Sequence, residues 1–313
     1  MLKVYCVNNS YVGLCINFQG NGYCEWRNDN IMQNENSPGC SSTIYRGKEG
    51  YLNTTLNLIS DSNDELINIP IGMTKFPFMW TLMPNLPSSF DGRFGHIVYN
   101  MEAILDIPVS KCKKAYHVFF VQNLLNLNLE PTLKLPMEAE KFKDFVSLFR
   151  CKTSRLYMSV FIPYTGYTSA QTIKVFIKLA NDSSISIGRT IISIRKIVSY
   201  HVKKVCKQDF ETMITACVEG VESNRTKNIE YNLRIPETIT NINKQNSTII
   251  QVAYDLIVTC IPQGCHFSPR LKIPIQIGNV ALVFDGNKSS HKQVTTVPED
   301  YLEMRNTFTI IIK

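Results

Sequence analysis

The sequence is poor in charge: only 19% of its 313 residues are Asp, Glu, Lys or Arg. That is too little for the charge-rich, aromatic-poor composition of a disordered chain, and 44% apolar residues are enough for a packed core. It also lacks any apolar run approaching the roughly 20 residues that a helix needs to cross a membrane. The opening Met1-Leu2-Lys3-Val4-Tyr5-Cys6 breaks into Asn8-Asn9-Ser10 without the apolar stretch of a signal peptide, so a cytoplasmic location is expected. No zinc-finger spacing, basic helix or aromatic RNA-binding pattern is present, which sets nucleic acid aside as a partner. Nor is there a Gly-rich phosphate loop, an HExxH pair or a nucleophile elbow, and no catalytic residue or cofactor is expected.

Cysteine is sparse as well. The ten thiols are spread over a long chain, far below the density of a disulfide-stapled scaffold, and most lie in apolar runs, where a free thiol serves as a small hydrophobe. Six N-glycosylation sequons start at Asn8, Asn53, Asn181, Asn224, Asn246 and Asn287. They would matter in a secreted adhesion-like protein; without a signal peptide they are read as coincidences of an Asn-rich sequence. Cys260-x4-Cys265-His266 is the nearest approach to a metal-ligand cluster, yet it offers three ligands at a non-standard spacing, so no metal is assigned.

What the chain does contain is period-two alternation. Ile97, Tyr99, Met101, Ala103 and Leu105 fall on one face of a strand, opposite His96, Val98, Asn100 and Glu102. Ile173, Val175, Ile177 and Leu179 repeat the pattern, as do Val252, Tyr254, Leu256 and Val258, and then Ile273, Ile275 and Ile277. Pro and Gly stand at the ends of these runs, and helices that could make βαβ crossovers are missing, which points to β-sandwiches. The best helix candidate is Glu138 to Phe149, with Phe142, Phe145, Val146 and Phe149 three and four apart; a turn and strand fit it equally. The Pro-flanked segment from Asn126 to Pro136 predicts a boundary between domains 1–133 and 134–313.

A family resemblance enters with Lys75-Phe76-Pro77-Phe78-Met79-Trp80, Leu86-Pro87-Ser88-Ser89-Phe90-Asp91-Gly92, Gly95-His96-Ile97-Val98-Tyr99 and Ala103-Ile104-Leu105-Asp106-Ile107-Pro108. In order and spacing these resemble the arrestin N-terminal domain. Ile16-Asn17-Phe18-Gln19-Gly20 resembles its early strand and turn, and Val118 to Pro131 its interdomain segment. Gly166 to Ile173, Leu179 to Ser184 and Ile273-Pro274-Ile275-Gln276-Ile277-Gly278 resemble the arrestin C-terminal domain.

The resemblance implies an all-β protein of two arrestin-like, immunoglobulin-like β-sandwich domains, closest in pattern to the α-arrestins. It implies a non-catalytic adaptor that binds cytoplasmic regions of membrane proteins, with recruitment to plasma membrane or endosomes. The alternative is a trafficking scaffold that binds soluble complex subunits. The chain departs from the family at three points. The family's opening strand pair has no counterpart before Leu14, so an N-terminal domain lacking its opening strand or strands is expected, through an incomplete gene product or a rearranged edge. Ser169-Ala170-Gln171 replaces a Pro-Gly-Glu-like turn. No Pro-Pro dipeptide and hence no PPxY motif is present, so recruitment of a ubiquitin ligase does not carry over.

Two further features are local. Trp80 shares a face with Phe76 and Phe78 and reads as core, whereas Trp26 follows an expected turn and is the better placed for exposure. From Ile191 to Lys204, Ile192, Ile194, Val198, Tyr200 and Val202 form an apolar row, while Arg195, His201 and Lys203, with Lys204 and Lys207 nearby, form a candidate face for an anionic partner. Its partner could be an acidic protein tail or an anionic membrane, at about 1 kcal/mol per basic residue. Reversing Arg195 and Lys203 together is then expected to weaken binding to acidic liposomes or acidic peptides; unchanged binding would remove this face.

Overall fold

The computed structural model describes residues 2–6, 10–11, 13–32, 39–60, 67–107, 112–145, 154–237, 242 and 246–284. The chain gathers into two compact units, one of residues 1–122 and one of residues 123–285. Both are built from β-strands joined by turns and irregular segments. Two short 3-10 turns, Leu127–Leu129 and Pro131–Lys134, are the helical elements among the described residues.

In the first unit, two short strands, β1 (Leu2–Cys6) and β2 (Ser10–Tyr11), precede two long ones, β3 (Gly13–Met32) and β4 (Gly39–Ser60). β5 (Ile67–Asn68), β6 (Gly72–Phe76), β7 (Phe90–Gly92), β8 (Gly95–Asp106) and β9 (Lys113–Phe119) follow. The main sheet runs β4-β3-β8-β7, with β9 also paired to β8; β1 pairs with β6 and β2 with β5, all antiparallel.

Register turns the alternation into a core. Phe18 lies opposite Met101, Ile16 opposite Ala103 and Leu14 opposite Leu105, and all six side chains are buried. Over this row the extended segment after β6 lays Trp80 on Phe18, with ring centroids 4.2 Å apart, and brings Phe78 edge-on at 6.3 Å. The turn expected ahead of Trp26 does not form. β3 does not turn after Gly20 but continues through Trp26, which is 4% exposed and stacked on Tyr45 at 5.4 Å. The register shift at Gly20/Asn21 absorbs the irregularity that the glycines announce in the sequence.

The Leu-Pro-Ser-Ser-Phe bend is held by long-range hydrogen bonds. The buried Tyr99 hydroxyl donates to the carbonyl of Pro87 at 2.6 Å. Ser89 donates its amide to the carbonyl of Val121, and its hydroxyl accepts the amide of Val121. Burial drives the Tyr99 phenol well above its ordinary pKa, so the ring is a fixed neutral donor.

The second unit comprises β10 (Met137–Phe145), β11 (Ser154–Ile162), β12 (Gly166–Thr168), β13 (Thr172–Asn181), β14 (Ile187–Val202), β15 (Val205–Glu219), β16 (Arg225–Arg234), β17 (Ile250–Pro262) and β18 (Arg270–Gly278). One sheet runs β10-β11-β13-β16 and the other β12-β18-β17-β14-β15, with β12 parallel to β18. Ile173, Val175, Ile177 and Leu179 are at most 2% exposed, as are Tyr254, Leu256 and Val258 on β17 and Ile273 and Ile277 on β18.

The helical alternative for Glu138 to Phe149 is corrected over its described part, which belongs to β10; residues 146–149 lie outside the described residues. The three-and-four spacing of its aromatics misled because Phe142 is not a core residue. It is 56% exposed and rests on Tyr157 of the neighbouring strand, with the Arg155 guanidinium over its ring.

The chain divides between Gln122 and Asn123, ahead of the 133/134 boundary expected from sequence. The Leu-Asn segment belongs to the second unit because it is clamped to the end of β18. Leu125 donates its amide to the Asn279 side chain and accepts the Asn279 amide. Asn128 donates to the Ala281 carbonyl at 2.7 Å and accepts the Val283 amide at 2.8 Å. Leu127, Leu133 and Leu282 close a small apolar cluster beneath these bonds.

Gly20 supplies a direct test of this packing, since a Cβ there would stand 2.4 Å from the Tyr99 ring. Gly20→Ala is expected to destabilise the protein by about 1–3 kcal/mol through overpacking, read as a lowered denaturation midpoint at unchanged slope.

Candidate interaction surfaces

β14 and β15 form a hairpin whose last pair is Val202 and Val205, leaving Lys203 and Lys204 as a two-residue turn. Lys203 has φ 55°, in the left-handed region where such turns ordinarily use Gly or Asn. Both lysines are exposed at the tip, with His201 paired across from Cys206 just behind them. Lys207 pairs with Tyr200, so it stands on the opposite face of the hairpin from Cys206.

Arg195 is not part of this cluster. It lies six positions back along β14, about 20 Å at strand rise. Its guanidinium donates to the Asp255 carboxylate of β17 at 2.9 Å and covers the Phe210 ring at 4.8 Å. The two ion-pair partners are only 15% and 16% exposed, so this charge is largely consumed inside the sheet surface. Lys196, which interrupts the apolar row, is likewise held by Glu211 at 3.2 Å. Of the expected basic face, the hairpin tip brings His201, Lys203 and Lys204 together.

A second basic cluster escaped the sequence reading. Arg270 and Lys272 point outward on β18 between the buried Leu271 and Ile273. Lys141 of β10 donates to the Arg270 carbonyl at 3.2 Å, and Lys143 lies over the Phe267 ring at 5.9 Å. Phe267 itself is 88% exposed. The signal was the alternation of basic and aliphatic residues in Arg270-Leu271-Lys272-Ile273; the contribution of β10 has no local trace.

The cysteine and histidine cluster does not assemble. Cys260 is fully buried, with its sulfur 3.8 Å from the Met158 sulfur, and burial lifts its pKa to about 11. Cys265 and His266 sit in the exposed turn beyond it, where the His266 ring leans on Phe145. Among the sequons, Asn181 is inside the protein: its amide donates to the carbonyls of Ile185 and Glu222, so a glycan there would break the fold.

In the first unit, the exposed side of β9 carries Tyr116, Val118 and Phe120, the last just beyond the strand, each more than 60% exposed. Register sets Val118 beside Asn100 of β8 and Tyr116 beside Glu102. Glu102 is anchored there: the Tyr116 hydroxyl, then Lys114 and Asn17, hold its carboxyl below the usual range. Among the described residues β9 pairs only with β8.

Residues 7–128 match the family described as Arrestin (or S-antigen), N-terminal domain, and residues 152–282 match Arrestin (or S-antigen), C-terminal domain. The chain belongs to the arrestin-domain family. It is similar to arrestin domain-containing protein 1 of Homo sapiens, 27% identical over 244 residues that make up 77% of this chain and 53% of the relative. Arrestin domain-containing protein 17 of Caenorhabditis elegans is 31% identical over 128 residues, 41% of this chain and 30% of the relative. Arrestin domain-containing protein 5 of Homo sapiens is 21% identical over 280 residues, 84% of this chain and 77% of the relative. The chain spans about half the length of the first of these relatives. Arrestin-domain proteins generally act as adaptors in trafficking, and both β-sandwiches of the fold are present here. Among the described residues no helix is long and apolar enough to cross a membrane.

The charge readings separate experimentally. Asp255→Asn leaves the Arg195 guanidinium uncompensated at the sheet surface and is expected to cost about 1–3 kcal/mol of stability. Lys203→Asn with Lys204→Gln, at the exposed tip, is expected to change stability by less than about 0.5 kcal/mol, measured by the same denaturant titration.

Proposed function

We propose that this arrestin-domain protein is a non-catalytic adaptor that binds cytoplasmic regions of membrane proteins and links them to endocytic or intracellular sorting. The observation that carries this reading is β9, which among the described residues pairs only with β8 and carries an exposed row of Tyr116, Val118 and Phe120. A partner segment can dock on such a row by apolar contact, with the aromatic side chains as the anchors that dominate interface energy. The protein works on this reading at the cytoplasmic side of plasma membrane or endosomes. The basic hairpin tip, His201, Lys203 and Lys204, supplies a secondary attraction to acidic tails or anionic headgroups.

The test is cross-linking in cells followed by identification of captured proteins, comparing the wild type with Val118→Asp/Phe120→Ser. Enrichment of transmembrane proteins that falls by about tenfold in the variant, at unchanged thermal stability, is the expected result. Capture dominated by soluble subunits of one complex would favour a trafficking scaffold instead. Transmembrane partners retained undiminished by the variant would remove β9 as the site.

A further inference from the structure

The hairpin tip holds a thiol as well as cations. Cys206 is exposed, and its sulfur lies 4.0 Å from Nε2 of His201, directly across the strand pair. The backbone of His201 is anchored by its amide, which donates to the carbonyl of Ile249 at 2.8 Å. The next pair down the same face is neutral, Gln208 donating to the Ser199 hydroxyl. The acids of β15 lie elsewhere: Asp209 and Glu211 pair with Val198 and Lys196 on the other face, and Glu211 is engaged by Lys196. Lys203 and Lys204 complete the turn. An exposed thiol with an imidazole nitrogen at its sulfur and two lysines in the adjoining turn has a proton acceptor and cations beside it, the setting of a reactive cysteine.

The other described thiols lack this setting. Burial raises the pKa of Cys15, Cys24 and Cys260. Cys112 donates to the Asp106 carboxylate, which raises its pKa too. Cys217 is exposed but stands opposite Ile191 on β14. Cys265 is exposed beside His266, whose ring is turned against Phe145.

We propose that Cys206 is a reactive thiol and a site of reversible mixed-disulfide formation with small anionic disulfides of the glutathione class. His201 Nε2 accepts the Cys206 proton. The thiolate attacks one sulfur of the disulfide; the bond from Cys206 Sγ to that sulfur forms as the original S–S bond breaks. The departing thiolate takes up a proton, so Cys206 is oxidised and half of the incoming disulfide is reduced. Lys203 and Lys204 attract the carboxylates of the disulfide, and the adduct then places negative charge at the basic tip. Excess thiol reverses the reaction by the same exchange.

The experiment treats the full native chain with oxidised glutathione and, in parallel, with the uncharged 4,4′-dithiodipyridine, following each cysteine by peptide mass spectrometry. In the wild type, Cys206 is expected to react on the order of tenfold faster than Cys112, Cys217 or Cys265. His201→Gln is expected to slow Cys206 with both reagents and leave the other thiols unchanged. Lys203→Asn/Lys204→Gln is expected to slow it more with oxidised glutathione than with the uncharged reagent. Cys206 reacting no faster than Cys217 and Cys265 in the wild type overturns the proposal, a comparison that needs no variant to fold. An unchanged rate in a folded His201→Gln protein overturns it as well.

Discussion

Each strand of a sandwich must keep one row of alternate side chains out of water, and pairing register makes those rows continuous from strand to strand. A slip of one residue would send the whole row to the other face. Here the rows meet as Phe18 with Met101 and Ile16 with Ala103 in one unit. In the other they meet as Ile192 with Val258 and Leu256 with Ile273. Burial of these side chains is the dominant favourable contribution to both units, at roughly 1.5–3 kcal/mol for each large apolar side chain removed from water.

Polar groups then pin what apolar packing leaves free. Tyr99 reaches from the core to the bend at Pro87, and the buried Asn181 and Ser183 satisfy one another and the carbonyl of Ile185. Asn126 and Asn128 do the same for the segment that enters the second unit. These bonds matter less for their net energy, about 1 kcal/mol apiece, than for the cost of leaving a buried donor without its acceptor. They explain why small polar residues recur where the chain changes direction.

The same register sorts the surface charges. Arg195 and Lys196 are adjacent in sequence yet face opposite sides of β14, and each meets an acid from a different neighbouring strand. Lys203 and Lys204 lie beyond the last strand pair and remain exposed. A basic residue in a strand centre is readily neutralised across the sheet. At a hairpin tip, beyond the last strand pair, it stays exposed to solvent.

The apolar alternation of 97–105, 173–179, 252–258 and 273–277 was enough to determine the β-sandwich class, because period two is a local property of strands. The ordered motifs from Phe76 to Pro108 and from Gly166 to Gly278 were enough to determine the family. The burial of Trp26, the strand at 137–145 and the fate of the basic face were not determined in this way. Trp26 depends on Tyr45 from β4, Arg195 on an aspartate sixty residues away, and the clamp of Asn128 on a carbonyl 153 residues away. Such partners are brought together only when strands pair in register, so tertiary structure alone decided which tryptophan is covered, which cations are paired, and which thiol faces an imidazole.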